Sequence, residues 1–187
     1  MTSVGAALRN RLTRVEPAEK IPRETAAVAI IVGQSIQEGD RFLLIKRAER
    51  AGDPWSGQVA FPGGRVEQYD VSFAATAVRE TREEVGVDLT RSEFLGYMGP
   101  FVPRNRMVRV VPAVYALTET VSVHPGPEVS SHRWVPFTEL LSVTNRGLET
   151  VSEVPGVAVP SFRFGDYVVW GLTERILTSL AEMVERA

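Results

Sequence analysis

Three glutamates, Glu80, Glu83 and Glu84, lie at i, i+3 and i+4 within the stretch Ser72 to Gly86. If that stretch is helical, they project from one face. Like charges at this spacing cost a helix a few tenths of a kcal/mol, about 0.2–0.5 per pair, and Arg79, one turn before Glu83, can offset part of it. Carboxylate oxygens converging from a rigid backbone suit Mg2+ or Mn2+ held together with the phosphates of a substrate. A bare E-x-x-E-E is also what an ordinary solvated acidic helix face looks like. Its surroundings argue for more. Ala74, Ala77 and Thr81 read as a small-residue face opposite the glutamates, which would let the helix pack close to a sheet. Upstream, Phe61-Pro62-Gly63-Gly64 ends a short strand in a sharp turn, and paired glycines let backbone approach an ion or a phosphate.

The elements that must position this helix follow from hydrophobic periodicity. Leu8, Leu12 and Val15 predict a short N-terminal helix ended before Pro17. Thr25 to Val32 and Phe42 to Ile45 read as buried strands joined through the turn-rich Gln37 to Asp40, and Gln58 to Phe61 as a third. Ala74, Ala77, Val78, Thr81 and Val85 fall at helical steps, and Gly86 stops the helix. Phe94 to Met98 and Val108 to Leu117 are strand-like, the latter demoted in part to an edge or bulge by Pro112. Arg133 to Val135 is a short strand and Phe137 to Leu141 a helical turn. Ser161 to Phe164 and Tyr167 to Trp170 form a hairpin, and Thr173 to Glu185 is an amphipathic helix. Trp134 and Trp170 sit in apolar context and read as core. Separated helices among several strands predict an α+β fold with a mixed sheet, not an alternating doubly wound one.

Composition narrows the chemistry. With no cysteine among 187 residues, disulfides, zinc–thiolate sites and thiol nucleophiles are excluded. Lys+Arg 21 against Asp+Glu 23 leaves no global basic field for nucleic acid or an anionic membrane. Lys20 and Lys46 are the only lysines, so nearly all cations are arginine, whose fork suits phosphate as well as reflecting coding bias. No G-x-S-x-G or G-x-x-x-x-G-K-[ST] occurs, and His124 and His132 are too few for a histidine-rich metal site. No apolar run fits a signal peptide or membrane span, which makes the cytoplasm the expected compartment. The whole of 1–187 reads as one domain, with 1–24 as an N-terminal extension.

Gly64 to Val87 resembles the signature of the Nudix hydrolases, G-x5-E-x7-R-E-U-x-E-E-x-G-U. Arg79, Glu80, Glu83, Glu84, Gly86 and Val87 fall in place, with Thr81 at the first apolar position. Asp70 stands at the first glutamate position, and eight residues instead of seven separate it from Arg79. Leu43 to Arg47, the lead-in Gly57-Gln58-Val59-Ala60-Phe61-Pro62-Gly63-Gly64, Glu128-Val129, Arg133 to Pro136 and Trp170 to Thr173 look like the coenzyme A diphosphatase branch. One segment departs: Gly52-Asp53-Pro54-Trp55-Ser56 stands where that branch has L-R-x-H.

The resemblance implies an α/β/α sandwich with a catalytic helix. It implies hydrolysis of a nucleoside diphosphate linked to another moiety, with coenzyme A as first candidate, on Mg2+ or Mn2+. Glu80, Glu83 and Glu84 are the implied metal ligands, with the Gly63 carbonyl added, and Arg79 orients a glutamate. The general base is left between Glu80 and Glu128. Arg47 is the candidate phosphate contact at a strand end. Arg104, Arg106 and Arg109, around Asn105, are candidates for further phosphates or for a solvated loop. Trp55 is a candidate for stacking on adenine or for loop packing. The alternatives are an ADP-ribose or dinucleoside polyphosphate hydrolase, or a non-catalytic nucleotide sensor. Partners are small nucleotides, with neither nucleic acid nor membrane, and a homodimer is a candidate assembly by analogy.

Overall fold

A computed structural model describes residues 3–17, 19–20, 24–53, 55–103 and 108–186. In chain order its elements are α1 (Ser3–Arg9), β1 (Thr25–Ser35), β2 (Gly39–Arg47), β3 (Val59–Ala60), β4 (Gly63–Arg65) and α2 (Phe73–Val85). There follow β5 (Glu93–Tyr97), β6 (Arg109–Ala116), β7 (Val129–Pro136), α3 (Phe137–Leu141), β8 (Arg146–Thr150), β9 (Ala158–Phe164), β10 (Tyr167–Trp170) and α4 (Gly171–Glu185).

β1 is the centre of the molecule because its apolar, β-branched run can be buried on both faces. It pairs parallel with β6 from Thr25↔Arg109 to Val32↔Ala116, and antiparallel with β2 and β4. The main sheet runs β3-β2-β1-β6-β5, with β4 added on β1 and β7 on β2, and β10-β9-β8 form a smaller sheet. Successive β1 side chains serve different layers. Ala27, Ala29 and Ile31, with Leu43 and Ile45 of β2, pack against Phe73, Ala77 and Val85 of α2. Ile30 and Val32, with Phe42 and Leu44, face a layer that includes Leu8, Phe137, Phe162, Phe164 and Leu177. The outcome is the expected α/β/α sandwich, with α2 against one face of the sheet's centre.

The N-terminal segment is tied to α2. Thr13 and Tyr97 exchange backbone hydrogen bonds of 3.2 and 2.7 Å. Gly96 allows the approach, since a Cβ there would lie 2.8 Å from the Thr13 carbonyl oxygen. Glu16 then accepts from the Phe73 amide at 2.6 Å and the Tyr97 hydroxyl at 3.1 Å, while that hydroxyl accepts from the Ala74 amide at 3.2 Å. Ser72 caps the Ala75 amide at 2.9 Å. Three orphan donors at the helix start are thereby satisfied, and a carboxylate sits at the positive end of the dipole. Burial foremost, with the Glu16 charge, pushes the Tyr97 phenol up to about 12.

Several boundaries differ from expectation for identifiable reasons. α1 stops at Arg9, because Leu12 and Thr13 turn to run beside β5. β6 is an internal strand, not an edge. Its Pro112 is accommodated because its carbonyl accepts from Met98 on the β5 side, just past the last β5 pair, Tyr97↔Ala113. The missing Pro112 N–H therefore falls on the side where the β5 ladder has ended. Trp134 and Trp170 are half-buried; Trp134 packs on the rim of the α2-side core, with Arg41 4.9 Å over its ring, whereas Trp170 ends β10. Among the described residues no helix is long and apolar enough to cross a membrane.

Candidate active site

The Gly63-Gly64 turn is where α2 meets the sheet. Gly63 pairs with Val28 at a φ of 154°, and a Cβ there would lie 2.3 Å from the Ala27 carbonyl oxygen. At Gly64 a Cβ would instead meet the Glu80 carboxylate, 2.4 Å from its Cδ. The Gly63 amide donates to Glu84 Oε2 at 2.9 Å. One glycine thus lets β4 lie on β1, and the next leaves room for the Glu80 carboxylate.

The three glutamates are graded by burial. Their side chains are 5 % (Glu84), 17 % (Glu80) and 58 % (Glu83) exposed. Ala77 and Thr81 share the buried stripe with Glu84 instead of standing opposite it. Small residues early in the helix bring it close to β1, which presses the later carboxylates onto the glycine turn.

Arg79 organises the outer side of the cluster. It donates to Asp70 through Nε (3.1 Å) and Nη2 (2.9 Å), to the Arg65 carbonyl at 3.1 Å, to Glu80 at 2.8 Å and to Glu83 at 3.3 Å. Its hydrogen bond to Asp70 is the largest influence raising its pKa. Burial works against ionisation of Asp70, but Arg79, the Glu67 amide and the Thr76 hydroxyl outweigh it and hold the carboxyl below its ordinary value. Asp70 therefore anchors the loop ahead of α2 to both Arg79 and Thr76, and the eight-residue spacer does not prevent it from doing so.

On the inner side, Arg47 at the end of β2 lies 3.0 Å from Asp53 and 3.7 Å from Glu84. The loop His124 to Glu128 docks on the C-terminal end of α2, where the His124 and Gly126 amides donate to the Val85 and Glu84 carbonyls at 2.8 and 2.7 Å. Glu128 follows, paired with Arg50 at 2.8 Å, and its amide carbonyl accepts from Ala48 at 2.8 Å. Glu80, Glu83, Glu84, Arg79, Gly63, Arg47 and Glu128 are thus gathered around the C-terminal half of α2. Trp55, 37 % exposed, sits on the neighbouring loop. Arg104 and Arg106 lie outside the described residues; Arg109 begins β6 beside Thr25. Sequence reasoning missed Asp53 and Arg50. Their signals were proximity to the strand-end arginine, with Arg50 three and Asp53 six residues after Arg47, and for Asp53 its place in the segment that departs from the coenzyme A diphosphatase pattern.

A divalent ion fits the donor set, although no three acidic or histidine side chains among the described residues form a ready cage. Arg79 and Arg47 currently divide the carboxylates between them, as mutual repulsion of the carboxylates favours. Burial pushes the Glu84 carboxyl up to about 7 despite the Gly63 amide, and burial also raises Glu80. A nearly buried carboxylate that is costly to ionise is relieved by a cation. Raising a carboxyl from 4.5 to about 7 costs the folded state about 3 kcal/mol once the group is ionised. Between those values the folded chain binds more protons than the unfolded one, so this contribution to stability falls as pH rises. In chelator, urea midpoints from pH 4 to 8 should therefore decline more for the wild type than for Glu84→Gln. Parallel profiles would show that Glu84 is not strained by ionisation.

These features define a protein of the Nudix class, and the NUDIX domain family model matches residues 22–153, well over half of the chain. The chain belongs to the Nudix family. It is 34% identical over 168 residues to Nudix hydrolase 22, chloroplastic, of Arabidopsis thaliana, covering 85% of this chain and 55% of that protein. It is 29% identical over 163 residues to the mitochondrial coenzyme A diphosphatase NUDT8 of Homo sapiens, covering 85% and 69%. Among solved structures, a MutT/nudix family protein from Enterococcus faecalis superposes with a TM-score of 0.55 at 19% identity, covering 92% of this chain and 66% of that one. This last likeness is one of fold. The chain spans little more than half the length of the Arabidopsis relative.

Proposed function

We propose that the chain is a metal-dependent diphosphatase that hydrolyses a nucleoside diphosphate linked to another moiety, with coenzyme A or its derivatives as substrate. The observation that carries the reaction class is the nearly buried Glu84 carboxylate held by the Gly63 amide beside Glu80. The coenzyme A reading is supported by the G-Q-V-A-F-P-G-G lead-in and by similarity to a relative named a coenzyme A diphosphatase. Glu80, Glu83, Glu84 and the Gly63 carbonyl would hold Mg2+ or Mn2+. Such an ion neutralises phosphate charge, polarises the phosphoryl oxygens and acidifies water.

The chain's own residues do the rest. Arg79 holds Glu80 and Glu83 in place, and Arg47 meets a phosphate oxygen. Glu128 takes the proton of the attacking water. Its pair with Arg50 is exposed on both sides, and such pairs are weak and readily broken. Glu80, by contrast, is held in a more buried bond to Arg79. Water then attacks one phosphorus of the diphosphate, the bond from that phosphorus to the bridging oxygen breaks, and the bridging oxygen leaves with the other half of the substrate.

Turnover of coenzyme A, ADP-ribose, NADH and diadenosine polyphosphates should be compared with Mg2+ and with Mn2+. The expected result is the highest kcat/KM on coenzyme A, releasing 3′,5′-ADP. A clear preference for ADP-ribose or a dinucleoside polyphosphate would reassign the substrate. No hydrolysis of any would leave a nucleotide-sensing role.

A further inference from the structure

We infer that Asp53 is a positioning residue that holds Arg47 in place to receive a substrate phosphate, which makes the Arg50 to Gly57 loop a determinant of how tightly the diphosphate is bound. The inference rests on the phosphate role proposed for Arg47.

The geometry begins with Arg47 itself. Its pairing with β7 shifts register between Lys46 and Arg47, and its amide donates to the Gln58 carbonyl at 2.9 Å. The guanidinium reaches two carboxylates unequally. Nη2 donates to Asp53 Oδ2 at 3.0 Å, whereas Nη1 stands 3.7 Å from Glu84 Oε1, too far for a hydrogen bond. Its Nε is buried without a hydrogen-bond partner among the described residues. One side of the fork is fixed by a hydrogen bond, while the other makes only a long ion pair with Glu84 and no hydrogen bond. Such a group can take a phosphate oxygen without first breaking a strong bond.

Asp53 is itself held from several directions. Its Oδ1 accepts from the Trp55 amide at 3.0 Å and its backbone amide donates to the Arg50 carbonyl at 3.2 Å. The Ser56 amide donates to the Asp53 carbonyl at 3.1 Å, and Ser56 Oγ accepts from the Arg50 amide at 2.9 Å. Gly52 and Gly57, with φ of 84° and 70°, supply the backbone turns. The Trp55 amide and Arg47 together hold the Asp53 carboxyl below its ordinary value, so it is charged throughout the neutral range. The side chains of Arg47 and Asp53 are 23% and 18% exposed, which sets this pair apart from freely solvated surface pairs. A long arginine otherwise has many rotamers, and a fixed carboxylate removes that freedom before substrate arrives.

The test uses Asp53→Asn, Arg47→Lys and the double variant, with kinetics on whichever substrate the wild type turns over fastest. Asn keeps the acceptor for the Trp55 amide but loses the charge-assisted hold on Arg47. Asp53→Asn should raise KM about tenfold with kcat within about threefold and an unchanged thermal midpoint. The double variant should be no worse than Arg47→Lys alone. An unchanged KM, a fall in kcat that tracks a lowered thermal midpoint, or additive effects would overturn the inference. Calorimetric binding of ADP keeps the inference testable should the wild type hydrolyse nothing. About tenfold weaker binding to Asp53→Asn would uphold the positioning role while the reaction assignment fell, and equal binding would overturn it.

Discussion

Glu84→Gln is expected to lower kcat by about a thousandfold while the protein stays folded, and at neutral pH in chelator it becomes no less stable. Glutamine preserves the shape of the side chain and an oxygen for the Gly63 amide. It removes the negative charge that a divalent ion requires. Loss of an electrostatic contribution of about 4 kcal/mol to the transition state corresponds to about three orders of magnitude. The stability half of the prediction has the opposite cause. Burial raises the Glu84 carboxyl to about 7, so ionisation there penalises the folded state, and a neutral amide avoids that penalty. A merely structural residue with 5 % side-chain exposure would lose stability when changed. Glu80→Gln should also cost orders of magnitude, with less effect on stability, since Arg79 keeps an acceptor at the amide oxygen. Near-normal turnover of either variant, measured beside its urea midpoint, would remove the metal role from that residue.

The second large effect separates adjacent glycines. Gly64→Ala places a methyl group 2.4 Å from the Glu80 Cδ, so the carboxylate must move by an ångström or so while the backbone stays. Displacing a reacting constellation by about 1 Å costs about a hundredfold in rate. The thermal midpoint should barely change, because a flexible side-chain end gives way. Gly63→Ala is different. Its methyl group would collide with the Ala27 carbonyl oxygen at 2.3 Å and the Val28 Cα at 2.5 Å, both backbone of the central strand, at a φ of 154°. Relief requires moving β4 off β1, at a cost of about 3 kcal/mol or more. Circular dichroism melts and kinetics on the two variants distinguish these outcomes. Equal loss of stability in both would mean that Gly64 serves the fold and not the carboxylate.

Much of this site was legible in the sequence because it is local. Helical spacing placed Glu80, Glu83 and Glu84 on one element, Ser72 and Gly86 bounded it, and the glycine pair marked a close approach. The small face of Ala77 and Thr81 does meet the sheet as their size suggested. What could not be read was that Glu84 shares that buried stripe instead of standing opposite it, which the contact with the β4 turn shows. The Asp70 contact was obscured by the spacer, since contact across a loop depends on its path and not on its residue count. Glu16 was hidden for a similar reason. It caps α2 from 57 residues away, and nothing in its own neighbourhood signals a helix start. β4 and β8 were missed because three to five residues containing glycine carry too little periodicity to register as strands.

If the α2 carboxylates and the glycine turn form the proposed divalent-metal site for hydrolysing a nucleoside diphosphate bond, turnover requires added metal and water attack at phosphorus. The most direct measurement is hydrolysis of coenzyme A in oxygen-18 water by chelator-treated protein, before and after addition of Mg2+ or Mn2+, with the products analysed by mass spectrometry. The expected result is no turnover until metal is added, then one labelled oxygen on a phosphate of a single product half. Undiminished turnover in chelator, or cleavage that leaves phosphorus unlabelled, would contradict a metal-dependent attack of water at phosphorus.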